Sequence, residues 1–112
     1  MKYPLEDRCR EFADRTIIYC RQLPTDVVTR ELVRQLVRSA GSVAANYFEA
    51  NESLSKKDFL FHLRIARKEA KESELWLYFL RPMEKNSTTN RELQKEANEL
   101  LRIFTAIIKK SE

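Results

Sequence analysis

The sequence has few of the residues that interrupt helices: one glycine and three prolines among 112 residues. A β-sandwich needs many more turn residues, so the composition excludes that class and favours long helices. Apolar residues make up 43% of the chain and charged residues 34%, and this apolar content also excludes a disordered chain. Because 112 residues leave little room for a second core, we expect a single all-α domain.

Long apolar runs are also missing. The longest, residues 75–80, has six residues, whereas a membrane-spanning helix needs about 20. The stretch from Met1 to Asp7 turns acidic at once and has no apolar segment like that of a signal peptide. We therefore expect a cytoplasmic protein without a membrane partner.

Residues that carry catalysis are scarce. A single glycine cannot build a phosphate-binding loop. A di-iron bundle requires histidines that follow a glutamate by three residues, and the single histidine, His62, has no glutamate at that position. Cys9 and Cys20 lie about 16 Å apart if they share a helix, which is too far for a disulfide. We expect them to be buried free thiols, typical of a reducing compartment.

Carboxylates at i, i+3 spacing offer one metal-binding alternative. Glu49 with Glu52 and Glu69 with Glu72 could together hold a cation, but salt bridges within helices explain these pairs more simply. We predict that the protein is not an enzyme and uses no cofactor or metal.

Four amphipathic segments, each with apolar residues at three- and four-residue spacing, are separated by three breaks. They predict helices over residues 5–22, 26–51, 56–81 and 90–109. Thr25 or Asp26, the Ser55–Asp58 pair and the Thr89–Glu92 pair offer N-caps for the last three helices. Short connections make neighbouring helices antiparallel, so we predict an up-and-down four-helix bundle over residues 1–112.

Two features of the predicted helices suggest close contacts. The segment from Ser39 to Ala45 has unusually small side chains, which let another backbone come close. We therefore expect another helix to cross it closely, near Ala44 and Ala45. The third helix has a second apolar stripe that one bundle face cannot bury, which predicts a homo-oligomer. The candidate interface residues are Phe61, Ile65, Trp76 and Phe79.

Basic residues form stripes away from the main apolar faces of the second and third helices. Residues 55–81 hold seven basic and four acidic residues, and so account for +3 of the net charge of +4. The candidates for phosphate contacts with RNA or DNA are Arg30, Arg34, Arg38, Arg64, Arg67, Lys68 and Lys71. The alternative is that these are solvated faces with acid partners in the same helix, as Glu72 is for Lys68.

The motifs RSAGSVAANYFEANE (residues 38–52), SKKDF (55–59), IARKEAKES (65–73) and WL (76–77) closely resemble the bacterial four helix bundle protein family, also called the 23S rRNA intervening-sequence protein family. The resemblance implies a closed bundle that assembles into a ring, pentameric where members have been examined. It also implies association with RNA. Members occur as reading frames inside rRNA intervening sequences, and the related accessory variability protein of diversity-generating retroelements acts with a reverse transcriptase and RNA.

The motif residues also have a structural interpretation. Asn46 and Glu49 lie one turn apart at the flank of an apolar face, where Lys68, Glu69 and Glu72 of the next helix can meet them. We predict a structural polar network of Asn46, Glu49, Glu69 and Glu72 that fixes helix register, because an unpaired buried polar group costs about 1–3 kcal/mol.

Two functions follow from these observations. The first is a non-enzymatic, oligomeric accessory protein that binds nucleic acid, with a reverse transcriptase as one candidate partner. The alternative is an oligomeric scaffold that recruits a protein partner without binding nucleic acid itself.

Overall fold

The computed structural model describes residues 4–81 and 87–112. In those residues the chain forms no strand and four α-helices: α1 (Pro4–Arg21), α2 (Val27–Asn51), α3 (Lys56–Leu80) and α4 (Ser87–Ser111). The predicted all-α, four-helix class is confirmed. No helix within this part of the chain is long and apolar enough to span a membrane.

Contacts between helices show that neighbouring helices are antiparallel, because residue numbers rise along one helix as they fall along the other. The pairs are Ser39–Ser73 and Asn46–His62 between α2 and α3, Arg8–Glu96 and Arg15–Glu92 between α1 and α4, and Leu77–Asn90 and Arg64–Glu112 between α3 and α4. α1 packs on α2 and α4, and α3 packs on the same two helices. Hence α1 and α3 occupy opposite corners of the bundle.

The starts of α2 and α3 have the caps expected from the sequence. Asp26 accepts hydrogen bonds from the Thr29 backbone N–H (3.0 Å) and hydroxyl (2.9 Å), and these bonds hold the pKa of Asp26 below its usual value. Ser55 Oγ accepts from the Asp58 N–H at 3.1 Å. The cap predicted at Thr89 is wrong, because α4 begins at Ser87 and Thr89 lies inside its first turn.

The close contact of α2 with α3 lies within the predicted small segment, but at Ser39 rather than at Ala45. Ala45 and Gly41 are exposed, and a Cβ built at Gly41 meets no described atom within 4 Å. Ser39 faces α3 instead, with its Oγ 2.8 Å from Ser73 Oγ and both side chains fully buried. The small residues do bring the helices together, with Ser39 and Ala40 buried and Ala44 packed against the core, whereas Ala45 takes no part.

A buried polar network joins three helices around Asn90, which the apolar pattern did not reveal. Asn90 Nδ2 donates to Tyr19 Oη (2.8 Å) and to the Leu77 carbonyl (2.9 Å), while Gln94 donates to Asn90 Oδ1. The Arg81 N–H bonds to Tyr78 rather than to Leu77. Asn90 therefore replaces the helical donor that the Leu77 carbonyl lacks at the end of α3.

Asn90→Ala should lower the free energy of unfolding by about 1–3 kcal/mol, because it leaves buried polar groups unpaired. Urea denaturation followed by circular dichroism measures this. Asn98→Ala in the same helix, which removes only a half-exposed acceptor for Arg102, is the matched control and should change stability by less than about 0.5 kcal/mol. Equal urea midpoints for the two variants would contradict the role given to Asn90.

Candidate nucleic-acid interface

The three arginines predicted on α2 are exposed, and each has a partner. Arg30 donates to the Thr25 carbonyl at 3.2 Å, and Arg34 forms an ion pair with Glu31 at 2.9 Å. Arg38 reaches across to α3. Arg34 and Arg38 are therefore paired with carboxylates, and only Arg38 lies at the contact between α2 and α3.

The four basic residues predicted on α3 differ in their surroundings. Arg64 is paired with Glu112 at 2.8 Å, and Lys68 Nζ lies 3.8 Å from Glu69 Oε2. Arg67 is half-buried and Lys71 is exposed. Among residues 4–81 and 87–112, no carboxylate lies within 4 Å of either, so these two cations remain unpaired.

Arg38 sits between two carboxylates of α3. Its Nη2 lies 3.5 Å from Glu69 Oε1 and 3.3 Å from Glu72 Oε1. Glu69 is only 5% exposed, and its Oε1 has no hydrogen-bond partner in the part of the chain described. The nearby guanidinium therefore compensates a carboxylate that solvent hardly reaches.

The predicted polar network does not form as one unit. Glu69 and Glu72 lie together beside Arg38, but the inclusion of Asn46 and Glu49 is wrong. Asn46 donates to the Ser42 carbonyl (3.0 Å) and hydroxyl (2.9 Å), and its Oδ1 lies 3.2 Å from His62 Nδ1. Glu49 is exposed. The antiparallel register explains this, because it places Asn46 opposite His62 and therefore about two turns away from Glu69.

The predicted oligomer interface and the predicted phosphate contacts share one face of α3. Phe61 is 57% exposed and Phe79 is 46% exposed, whereas Ile65 and Trp76 are half-buried. An open groove of about 390 Å³ is lined by Lys57, Phe61, Arg64, Ile65 and Lys68. Two separate functions were predicted for residues that lie side by side.

α4 has a row of basic residues that the sequence reasoning missed. It consists of Arg91, Lys95, Arg102 and Lys109, at spacing i, i+4, i+11 and i+18, and all four are exposed. Their polar contacts are modest: Arg91 donates to Thr88 Oγ1 at 3.4 Å, and Arg102 donates to Asn98 Oδ1 at 2.9 Å. In the described ranges, no carboxylate lies within 4 Å of any member of this α4 row.

Three acids of α4 form ion pairs with arginines of α1. Arg8 bonds Glu96 at 2.7 Å and Glu99 at 2.8 Å, and Arg15 bonds Glu92 at 3.0 Å. The bonds to Glu96 and Glu99 raise the pKa of Arg8 above its usual value. Three acids of α4 are thus engaged by α1, although Glu99 also lines one open groove with Lys95 and Arg102. The spacing of the row was the available signal, but the near balance of charge over residues 82–112 concealed it.

Both cysteines are buried free thiols, as predicted. Burial raises the pKa of Cys9 to about 12 and the pKa of Cys20 to about 11. Among the described residues, no group of three or more His, Cys, Asp or Glu side chains is placed to hold a metal ion.

The structure therefore defines a small four-helix protein whose helix faces carry segregated charge. The chain belongs to the 23S rRNA-intervening sequence protein family, whose family profile matches residues 3–106. It is similar to a protein of unknown function from the S23 ribosomal protein family of Bacteroides thetaiotaomicron, solved by crystallography at 1.70 Å. The two are 31% identical with a TM-score of 0.80, over 93% of this chain and 97% of the other. No curated protein matches the chain.

The raised pKa of each thiol predicts slow chemical modification of the folded protein. At pH 8 the Cys9 thiolate population should fall about a thousandfold relative to an ordinary cysteine, since its pKa rises from 9.0 to about 12. Ellman's reagent should release chromophore only after denaturant is added. Rapid reaction of either thiol in the folded protein would contradict the burial of these residues.

Arg38→Met should lower the free energy of unfolding by about 1–3 kcal/mol, because it leaves the buried Glu69 carboxylate with only the 3.8 Å contact to Lys68. Arg34→Met is the matched control, since its partner Glu31 is exposed and such pairs contribute at most about 1 kcal/mol. Thermal or urea denaturation at neutral pH measures both. Equal stability of the two variants would show that Lys68 or solvent, rather than Arg38, compensates Glu69.

Proposed function

We propose that the protein is a non-enzymatic, homo-oligomeric accessory protein that binds RNA phosphates through the outward face of α4. The observation that carries this proposal is the α4 row, which presents four exposed cations with no carboxylate within 4 Å in the described residues. Four of the seven cations predicted on α2 and α3 have a carboxylate within 4 Å: Arg34, Arg38, Arg64 and Lys68. Arg30 on α2, which donates to a backbone carbonyl, and Arg67 and Lys71 on α3 stay candidates outside the row.

The geometry of the row suits a sugar–phosphate backbone. From Arg91 to Lys109 the row extends about 27 Å at 1.5 Å per residue. Contacts of this kind position a nucleic acid without reading its bases, so we expect little sequence preference and strong salt dependence. The family's description names a 23S rRNA intervening sequence, which favours RNA over DNA as the polyanion.

Self-association is part of the proposal. One row offers only four phosphate contacts, but several linked copies raise the avidity for an RNA long enough to reach more than one of them. Family resemblance favours a ring, and a pentamer in particular. A reverse transcriptase that shares the RNA is one candidate partner of such a ring.

One observation favours the alternative, a scaffold that recruits a protein. An open groove of about 550 Å³ between α3 and α4 is lined by Lys71, Glu74, Leu75, Tyr78 and Gln94, among others. Leu75 and Tyr78 are each nearly half exposed, and the Arg81 guanidinium lies 3.8 Å from the centre of the Tyr78 ring. Such a surface suits an apolar side chain of a protein partner.

Lys95→Gln with Arg102→Gln should weaken binding to a single-stranded RNA, because it removes two phosphate contacts from the row. Filter-binding titrations over a range of salt concentrations measure this. The slope of log K against log salt should flatten by about 1.4 relative to the parent. Arg30→Gln with Arg34→Gln removes the same charge from α2 and is the matched control, expected to retain most of the affinity.

The outcomes separate the alternatives. Loss of affinity in the α4 variant alone supports the proposal. An equal loss in both variants points to a general effect of net charge and overturns the assignment to α4. A parent that associates with itself but does not retain RNA overturns nucleic-acid binding and favours the scaffold.

A further inference from the structure

The outward faces of α1 and α3 carry opposite charge. On α1, the residues opposite the buried stripe include Asp7, Glu11, Asp14 and Ile18, all exposed, with exposed Arg10 at the edge of this face beside Asp7. On α3, the corresponding outward residues include Arg64, Lys68, Lys71 and Leu75, also exposed. Because α1 and α3 occupy opposite corners of the bundle, one molecule presents an acidic face on one side and a basic face on the other.

The two faces also match in spacing. Each has three charged residues at i, i+4 and i+7, followed by an exposed aliphatic residue at i+11: Asp7, Glu11, Asp14 and Ile18 on α1, and Arg64, Lys68, Lys71 and Leu75 on α3. Ile18 is 49% exposed and Leu75 is 45% exposed. When the two helices are aligned in parallel, each acid meets a base and the two aliphatic side chains meet each other.

We propose that α1 of one molecule docks in parallel against α3 of a second copy, in a head-to-tail interface. The orientation follows from the fold, since α1 and α3 both run antiparallel to α4 and are therefore parallel to each other. Two copies placed side by side with parallel axes present α1 of one to α3 of the other. Each copy keeps one free face of each kind, so the contact propagates, and it forms a ring where the rotation between copies closes and an open filament where it does not.

The charges disfavour the symmetric alternatives. A two-fold contact of α3 with α3 brings Arg64, Lys68 and Lys71 against their own copies, and a contact of α1 with α1 brings acids together. Like charges at such distances repel, which leaves the α1–α3 pairing as the complementary one. Exposed Phe61 and Phe79 lie beside the basic residues on the same side of α3 and add apolar area to the contact.

The groups that take part are largely available. Within the part of the chain described, Glu11, Asp14 and Lys71 form no ion pair, and Lys68 has only the 3.8 Å contact with Glu69. Asp7 lies 3.7 Å from Arg10, and Arg64 is paired with Glu112. The central two positions, Glu11 with Lys68 and Asp14 with Lys71, therefore carry the interaction.

This inference specifies the self-association that forms part of the proposed function, and its test does not involve RNA. Light scattering at low salt should show an oligomer for the parent. Each of two charge-reversed double variants, called the reversed halves, should instead show the monomer mass of 13.3 kDa. One half is Glu11→Lys with Asp14→Lys on α1, and the other is Lys68→Glu with Lys71→Glu on α3. The chain with all four substitutions should regain the parental mass, since it swaps the charges and keeps the net charge of +4.

Two controls keep the result interpretable. Lys95→Glu with Arg102→Glu reverses two charges on α4 and should leave the mass unchanged. Recovery of the oligomer in the four-substitution chain excludes misfolding as the cause of the losses. If a reversed half unfolds, the milder pair Glu11→Gln with Asp14→Asn should still shift the midpoint of dissociation to higher protein concentration.

The outcomes distinguish this inference from the proposed function. Halves that keep the parental mass overturn the α1–α3 contact while leaving an oligomer in place. A parent that is monomeric at micromolar concentration overturns both the contact and self-association, and leaves RNA binding by α4 to its own titration. Dissociation of both halves without recovery in the four-substitution chain overturns the assigned pairing.

Discussion

The close packing of α2 against α3 determines which residues reach the surface. Ser39 and Ser73 meet at 2.8 Å between their hydroxyl oxygens, and Ala66 and Ala70 are fully buried along the same side of α3. Side chains this small let the helix axes approach, and they fix the rotation of α3 about its own axis. Once that rotation is set, the opposite side of α3, which includes Lys68, has to face outward.

The ion pairs between α1 and α4 determine which charged side chains on the surface remain unpaired. Arg8 and Arg15 of α1 take up the acids of α4, so the outer face of α4 is left basic and the outer face of α1 is left acidic. Partly exposed pairs of this kind contribute little to stability, about 1 kcal/mol or less each. Their larger effect is on the surface, because they sort unlike charges onto different faces of a chain whose net charge is only +4.

The sequence was sufficient to predict features that depend on neighbouring residues. It was insufficient for features that depend on contacts between residues far apart along the chain. Helix periodicity and the caps at Asp26 and Ser55 depend on neighbouring residues, and both were predicted. The ion pair between Arg64 and Glu112 joins residues 48 positions apart, so no spacing rule within a helix could find it. The α4 row was missed for a different reason: the charge of a segment was counted along the chain, whereas the structure separates charges around the helix axis.

The shared use of α3 restricts how binding and assembly can coexist. If α3 of each copy is covered by α1 of its neighbour, Lys68 and Lys71 are withdrawn from any nucleic acid, and α2 and α4 supply the faces that remain exposed. Neighbouring copies then hold their α4 rows in a fixed relation, so an RNA that spans two rows binds the assembled form better than the single chain. A ligand that prefers one state stabilises that state, so on the two proposals RNA binding and assembly should promote each other. Salt should weaken both, since each proposal depends on exposed charges.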